Sequence, residues 1–185
     1  MIQIVPLTAQ YFEQVIALAS EVHGDNYLDL EKLKAMQLKA SKDNLNANFI
    51  ALEGDNLVGL RLSYSPGNWP LDKWCTPESW PCKASEMAYF KCIAIDPTQQ
   101  GNGIGPKLLS ASIDTLKLQG AKAGVAHLWR QSPGNGAVKY FKKCGGKLIK
   151  EHPNRWRENS INDGYVCPVC TELCECSAAE MVIEF

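Results

Sequence analysis

The chain has 185 residues, with 19 lysines and arginines against 20 aspartates and glutamates, for a formal net charge of −1 at pH 7. That near-balance supplies no basic field to gather nucleic acid or an anionic membrane surface, and no apolar run approaches the ~18 residues of a membrane span. The length suits one domain, residues 1–185, with a sizeable core. The opening Met1-Ile2-Gln3-Ile4-Val5-Pro6 has neither the basic nor the apolar region of a secretory leader, so a cytoplasmic protein is expected.

Ile2, Ile4 and Pro6-Leu7-Thr8 read as a short first strand. From Ala9 to Val22 the apolar residues Phe12, Val15, Ile16, Leu18, Ala19 and Val22 fall on one helical face. A second helix is expected over Leu30 to Ala40, with Asp29 as its N-cap. Phe49 to Glu53 and Leu57 to Tyr64 are strands joined by the turn residues Gly54-Asp55-Asn56, hence a hairpin. Residues 65–85 interrupt the pattern with Trp69, Trp74, Trp80, four prolines, Cys75 and Cys82, longer than an ordinary connection. Those tryptophans either line a pocket or form a small core of their own; Cys75 and Cys82 are free thiols, a local disulfide or metal ligands, with free thiols leading.

A fourth strand, Glu86 to Ile95, leads into Asp96-Pro97 and then Gln100-Gly101-Asn102-Gly103-Ile104-Gly105, before a helix from Pro106 to Gln119. Glycines where a strand hands over to a helix let backbone N–H groups converge at the positive end of the helix, the arrangement that holds a pyrophosphate. The spacing is not the Gly-x-Gly-x-x-Gly of dinucleotide folds, and Gly105-Pro106-Lys107 is not the Gly-Lys-Ser/Thr of a P-loop. Gln100, Gly103 and Gly105 do meet Gln/Arg-x-x-Gly-x-Gly/Ala, which resembles motif A of the GNAT superfamily of acyl-CoA-dependent N-acetyltransferases. Downstream, Ala123 to Trp129 is a strand, Gly136 to Lys143 a helix, Lys147 to Glu151 a strand and Glu180 to Phe185 a last, alternating strand, an order that is similar to the GNAT plan over nearly the whole chain.

The resemblance implies an α/β protein with a splayed mixed sheet of six to seven strands flanked by helices. It implies that strands four and five part, that acetyl-CoA enters between them, and that its pantetheine arm pairs with Ile93, Ala94 and Ile95. The diphosphate is then expected on Gln100, Gly101, Asn102, Gly103, Ile104 and Gly105, with Lys107 adding charge. The family's second motif, Asn-x-x-Ala-x-x-x-Tyr, is met loosely: registered on Ala137, Asn135 and Tyr140 each stand one residue aside, a turn of about 100° on a helix. Asn135 is assigned to the cofactor and Tyr140 to the general acid. Glu86, at the start of strand four, is the first candidate base, with Tyr89, Tyr140 and His127 as alternatives.

Cys167, Cys170, Cys174 and Cys176 form a Cys-x2-Cys-x3-Cys-x-Cys array inside the Cys-rich loop 153–177 between strands six and seven. In a reducing compartment such clustering favours metal over disulfides, with structural zinc first and a metal-free cluster or an iron–sulfur site as alternatives. The function expected is transfer of an acetyl group from acetyl-CoA to a primary amine of a small molecule or protein. A non-catalytic acyl-CoA sensor is the other reading, and a homodimer is open.

Overall fold

The computed structural model describes all residues from Met1 to Phe185. In chain order it contains strand β1 (Ile2–Pro6), helices α1 (Phe12–His23) and α2 (Leu30–Lys39), a small hairpin β2 (Ser41–Lys42) and β3 (Leu45–Asn46), and strands β4 (Phe49–Glu53), β5 (Asn56–Tyr64) and β6 (Met87–Ile95). Helix α3 (Ile104–Leu118), strand β7 (Ala123–Trp129), helix α4 (Gly136–Lys143), strand β8 (Lys147–His152), helix α5 (Arg157–Asn162) and strand β9 (Ala178–Glu184) complete it. All strands but the small hairpin join one sheet in the order β1-β4-β5-β6-β7-β9-β8. Every neighbouring pair is antiparallel except β6 and β7.

The helices divide between the two faces as strand alternation dictates. Val15, Leu18 and Ala19 of α1 and Leu33 and Met36 of α2 pack with Ile50, Leu60, Leu62, Met87 and Tyr89. The other face of β6 carries Ala88 and Phe90 against Leu109 and Leu116 of α3 and Phe141 of α4. Asp29 caps α2 as expected, accepting the Lys32 N–H at 2.8 Å. The β2–β3 hairpin lay outside the sequence reading, although Asp43 and Asn44, with φ of 53° and 61°, supply the turn chemistry that a tight hairpin requires.

Two local features open the sheet at its centre. The β6–β7 ladder holds for three pairs, Met87 with Ala123, Ala88 with Gly124 and Tyr89 with Val125. On the other edge of β6, Cys92 faces Leu62 and Phe90 faces Ser63, so Lys91 is an extra residue, a bulge that increases local twist. At the branch point the Phe90 ring lies over Gly124, where a Cβ would stand 2.3 Å from Phe90 Cε2. Beyond Tyr89 the two strands separate.

Strand β9 is the expected last strand, begun two residues earlier and placed inside the sheet. It lies between β7 and β8, so every residue but Glu184 is buried, the polar Glu180 among them. Glu180 is wholly buried, and its carboxylate accepts bonds from Thr76 N (3.0 Å), the Thr76 hydroxyl, Trp80 Nε1 (2.8 Å) and His152 Nε2 (2.9 Å). This one carboxylate fastens the insertion at 65–85 to the sheet. Trp69 and Trp80 join the main core, with Trp69 Nε1 donating to Met87 O at 2.9 Å, whereas Trp74 is half-buried at the edge of the cleft. Cys75 and Cys82 are unpaired thiols. No helix is long and apolar enough to cross a membrane.

Burial alone would raise the Glu180 pKa, but the bonds from Thr76, His152 and Trp80 outweigh it and hold the carboxyl below its ordinary 4.5. A carboxyl depressed by folding stabilises the native state above its unfolded pKa, and the gain disappears as pH falls through the folded value. Glu180→Gln is therefore expected to cost about 1.5–3 kcal/mol at pH 7. It is also expected to shrink the loss of stability that wild type shows below the ordinary carboxylate pKa. Denaturant unfolding at pH 7 and at successively lower pH measures both effects.

Candidate active site

Strand alternation decides which backbone groups of β6 face the opening. Asp96 N–H donates to Val58 O at 3.0 Å, and Leu60 stands opposite Ala94, so the peptide groups of Ala94 turn toward β5. Those of Ile93 and Ile95 turn the other way, into the gap left by β7. Of the three residues expected to pair with an extended ligand, Ala94 is thus already engaged by its own sheet. Ile93 O accepts from His23 Nε2 at 2.9 Å, and His23 stacks on Tyr27 with ring centroids 4.6 Å apart. The end of α1 is thereby tied to the wall of the cleft.

The glycine loop lies at the mouth of this opening. Gly101 and Gly103 have φ of 84° and 73°, with nothing within 4 Å of a built Cβ, so both the left-handed turn and the open space call for glycine. The exposed N–H groups of Gly101, Asn102 and Gly103 donate to no carbonyl or side chain of the protein. Asn102 Nδ2 folds back onto Gln99 Oε1 at 3.1 Å, while Gln100 Nε2 is 3.5 Å from Ile95 O, too long for a strong bond. Free amides at the start of a 15-residue helix form an anion cradle. Gly105 serves differently: a Cβ there would meet Tyr140 Cε2 at 3.0 Å. Ile104 is a core residue beside Ala51 and Val58, and Lys107 is exposed at the rim.

Behind the loop, on the face covered by α3 and α4, Tyr140 donates its hydroxyl proton to Gly105 O at 2.9 Å and accepts from Arg61 Nη2 at 3.1 Å. Burial pushes the Tyr140 phenol up, against the pull of the Arg61 charge. Arg61 is 1% exposed, forms no ion pair, lies 5.2 Å over the Phe90 ring and leaves Nε without an acceptor. Asn135, left-handed at φ 54°, has a buried Oδ1 with no donor. These residues fit a coenzyme A ligand: an anion cradle, an unpaired strand edge, and an orphaned buried cation and amide oxygen.

On the opposite face, where β6 and β7 part, Tyr89 and His127 meet. His127 Nε2 must be the protonated nitrogen, because its partner at 2.6 Å is the Trp74 carbonyl. Nδ1 then carries a lone pair and accepts the Tyr89 hydroxyl proton at 3.0 Å. Burial lowers the His127 pKa to about 4, so the ring is neutral at pH 7. Burial likewise raises the Tyr89 phenol, which stays protonated. His127, His152 and Glu180 also cluster, but both His127 nitrogens and His152 Nε2 are engaged by protein partners.

Glu86 stands apart from this group. It precedes β6 at the closed end of the β6–β7 pair, and its carboxylate sits 2.5 Å from Lys122 Nζ, whose hydrogen bond lowers the Glu86 pKa. Glu86 is the first candidate base from the sequence, and the structure sets it three residues before the strands diverge, away from Tyr89 and His127. The sequence reading missed Arg61, Glu180 and His23. Arg61 had a signal, a lone charge in the apolar run Leu57 to Leu62; the other two had none without knowing the sheet order.

The four clustered cysteines do come together, with all Sγ atoms within 4.8 Å of one another. The model of the GNAT acetyltransferase family matches residues 12–146. Ard1 from Thermoplasma volcanium superposes with a TM-score of 0.71 at 13% identity, over 99% of this chain and 97% of that one. The ribosomal-protein-S18-alanine N-acetyltransferase from Escherichia coli gives 0.67 at 14%, over 100% and 94%. Arabidopsis thaliana Naa50, solved with the bisubstrate analogue CoA-Ac-MVNAL, gives 0.66 at 18%, over 100% and 99%. No curated protein sequence matches. The chain belongs to the GNAT acetyltransferase family.

Proposed function

We propose that this protein transfers an acetyl group from acetyl-CoA to a primary amine in one direct step. The observation that carries the reading is the parting of β6 from β7, with the glycine loop at its mouth and Tyr89–His127 and Arg61–Tyr140 on opposite faces. Proteins of similar fold include a ribosomal-protein-S18-alanine N-acetyltransferase and one solved with the bisubstrate analogue CoA-Ac-MVNAL. A protein N-terminal amine is therefore the first acceptor to test. Eight unpaired thiols favour the reducing cytoplasm, and we place the protein there, without nucleic-acid or membrane partners. Pairing through an edge strand of the sheet would make a homodimer.

The coenzyme supplies the activated thioester. The amides of Gly101, Asn102 and Gly103 hold its diphosphate, and the N–H groups of Ile93 and Ile95 orient the acyl arm and polarise its carbonyl. Tyr89 oxygen accepts a proton from the attacking amine while its own proton moves to His127 Nδ1. A histidine held neutral by burial is ready for that proton throughout the neutral range, and the amine becomes far more acidic as it bonds to carbon. Across the sheet, Tyr140 turns its one hydroxyl proton from Gly105 O to the departing sulfur, and Arg61 stabilises the negative charge that develops there.

Three variants test separate parts of this assignment. Tyr89→Phe is expected to lower kcat/KM by about 10²-fold with CoA affinity unchanged, measured by thiol release over a panel of peptide and small amines. Tight CoA binding without turnover on any amine would instead favour the sensor reading. Gly103→Glu places a side chain at positive φ and a negative charge in the anion cradle, and calorimetry is expected to show CoA binding lost in a folded protein. Arg61→Met removes a buried, unpaired cation, so the free protein should be as stable as wild type or about 1–4 kcal/mol more stable. Acetyl transfer by that variant should fall.

A further inference from the structure

We propose that Cys167, Cys170, Cys174 and Cys176 bind one zinc ion as four thiolates, and that this centre clamps the α1–α2 loop against the acceptor side of the cleft. The second half of the proposal rests on the acyltransferase reading; the first does not.

The sulfur geometry carries the metal. Cys167 and Cys176 Sγ lie 3.8 Å apart and Cys170 and Cys176 Sγ 3.6 Å apart. A tetrahedron with zinc–sulfur bonds of about 2.3 Å has edges of about 3.8 Å, whereas a disulfide needs about 2.05 Å. Cys167, Cys174 and Cys176 are at most 1% exposed, packed under Trp129, Trp156 and Tyr165. The turn that brings Cys170 back toward Cys167 closes with Thr171 N–H on Cys167 O at 2.9 Å, and Thr171 takes a φ of 63°, rare for a β-branched residue.

The lobe is also inside out by the rule of apolar burial. Its thiols are interior, while Val166, Val169 and Leu173 are 43%, 51% and 44% exposed. No aliphatic core holds this stretch, which has no regular structure between α5 and β9. A metal bonded to all four sulfurs supplies the missing interior, as in other small metal-held folds.

The same stretch grips the loop between α1 and α2. Tyr165 Oη donates to His23 O at 3.0 Å, Val166 N–H to Asp25 O at 3.3 Å, and Asn26 Nδ2 to Gly164 O at 3.0 Å. Gly24 has no room for a side chain, since a Cβ would stand 2.2 Å from Val166 O. His23, the last residue of α1, in turn reaches Ile93 O in the cleft wall. A continuous chain of contacts therefore runs from the four sulfurs to the strand that positions the acyl donor.

The test uses the full chain, purified without a metal-binding tag under reducing conditions. Elemental analysis is expected to give about one zinc per chain, and cobalt exchanged into the site to show the absorption of a tetrahedral four-thiolate centre. Cys170→Ser/Cys174→Ser is expected to lose both; if that variant does not fold, zinc stripped from wild type by a chelator gives the same comparison. On zinc removal, amide exchange at residues 24–28 and 164–166 should rise at least about tenfold while β6 keeps its protection. KM for the acceptor should rise about tenfold with CoA affinity within twofold. Tyr165→Phe should keep its zinc and still raise the acceptor KM. Two disulfides without metal, iron at the four sulfurs, or loop exchange indifferent to zinc would each overturn the proposal. Metal content and exchange need no turnover, so they fail or succeed independently of the proposed activity.

Discussion

The separation of β6 from β7 after three paired residues is the constraint on which the rest of this molecule depends. A parallel pair that continued would satisfy the outward peptide groups of Ile93 and Ile95 and close the sheet. Instead the Lys91 bulge turns β6, and Phe90 packs over Gly124 within the last paired stretch, where no side chain would fit. The resulting edge is an unpaired strand in the middle of a sheet, protected by helices on both faces rather than by charge or proline. What the edge lacks is one extended polar partner, and in the proposed complex a pantetheine arm provides it.

Two buried charges on opposite sides of that gap are treated in opposite ways. Glu180 receives four hydrogen bonds and is held ionised; it is an architectural anion that seats the tryptophan-rich insertion. Arg61 is equally buried but has one polar partner and no counter-ion. A buried charge without compensation costs several kcal/mol on general grounds. The contrast separates a residue satisfied by the fold from one that the fold leaves uncompensated. In the proposed reaction, the sulfur that leaves as an anion is the partner that Arg61 lacks.

Much of this was readable in the chain because it depends on local rules. Period-3.6 and period-2 patterns placed the main helices and strands, and the glycine loop announced itself because left-handed backbone at 101 and 103 admits little else. The family resemblance supplied the splayed sheet and the cofactor. What was not legible needed the sheet order. Glu86 looked suitable as a base because it opens the right strand, yet parallel pairing puts that end of the strand at the closed side of the cleft. Glu180 opens a last strand of alternating residues, and only the insertion of β9 between β7 and β8 shows it buried. Tyr89 and His127 were weighed as alternatives, but their union through Nδ1 depends on Trp74 O fixing the tautomer, a contact across 53 residues.

The two sides of the cleft are built by different means, and this bears on how such a protein acquires its acceptor. The donor side consists of sheet edge, helix terminus and glycine loop, all set by regular backbone hydrogen bonding, so it changes little without loss of the fold. The proposed acceptor side consists of the insertion at 65–85, the α1–α2 loop and the cysteine lobe, three segments with little regular structure. Each is fastened by a few polar contacts: Glu180 for the first, His23 and Tyr165 for the second, and the four sulfurs for the third. Segments held at points rather than along ladders can alter in length and sequence between their anchors. On the proposed reading, recognition of the amine resides in the parts of the chain whose rigidity comes from side-chain chemistry, and a metal centre is the strongest such anchor available to a lobe that has no aliphatic core.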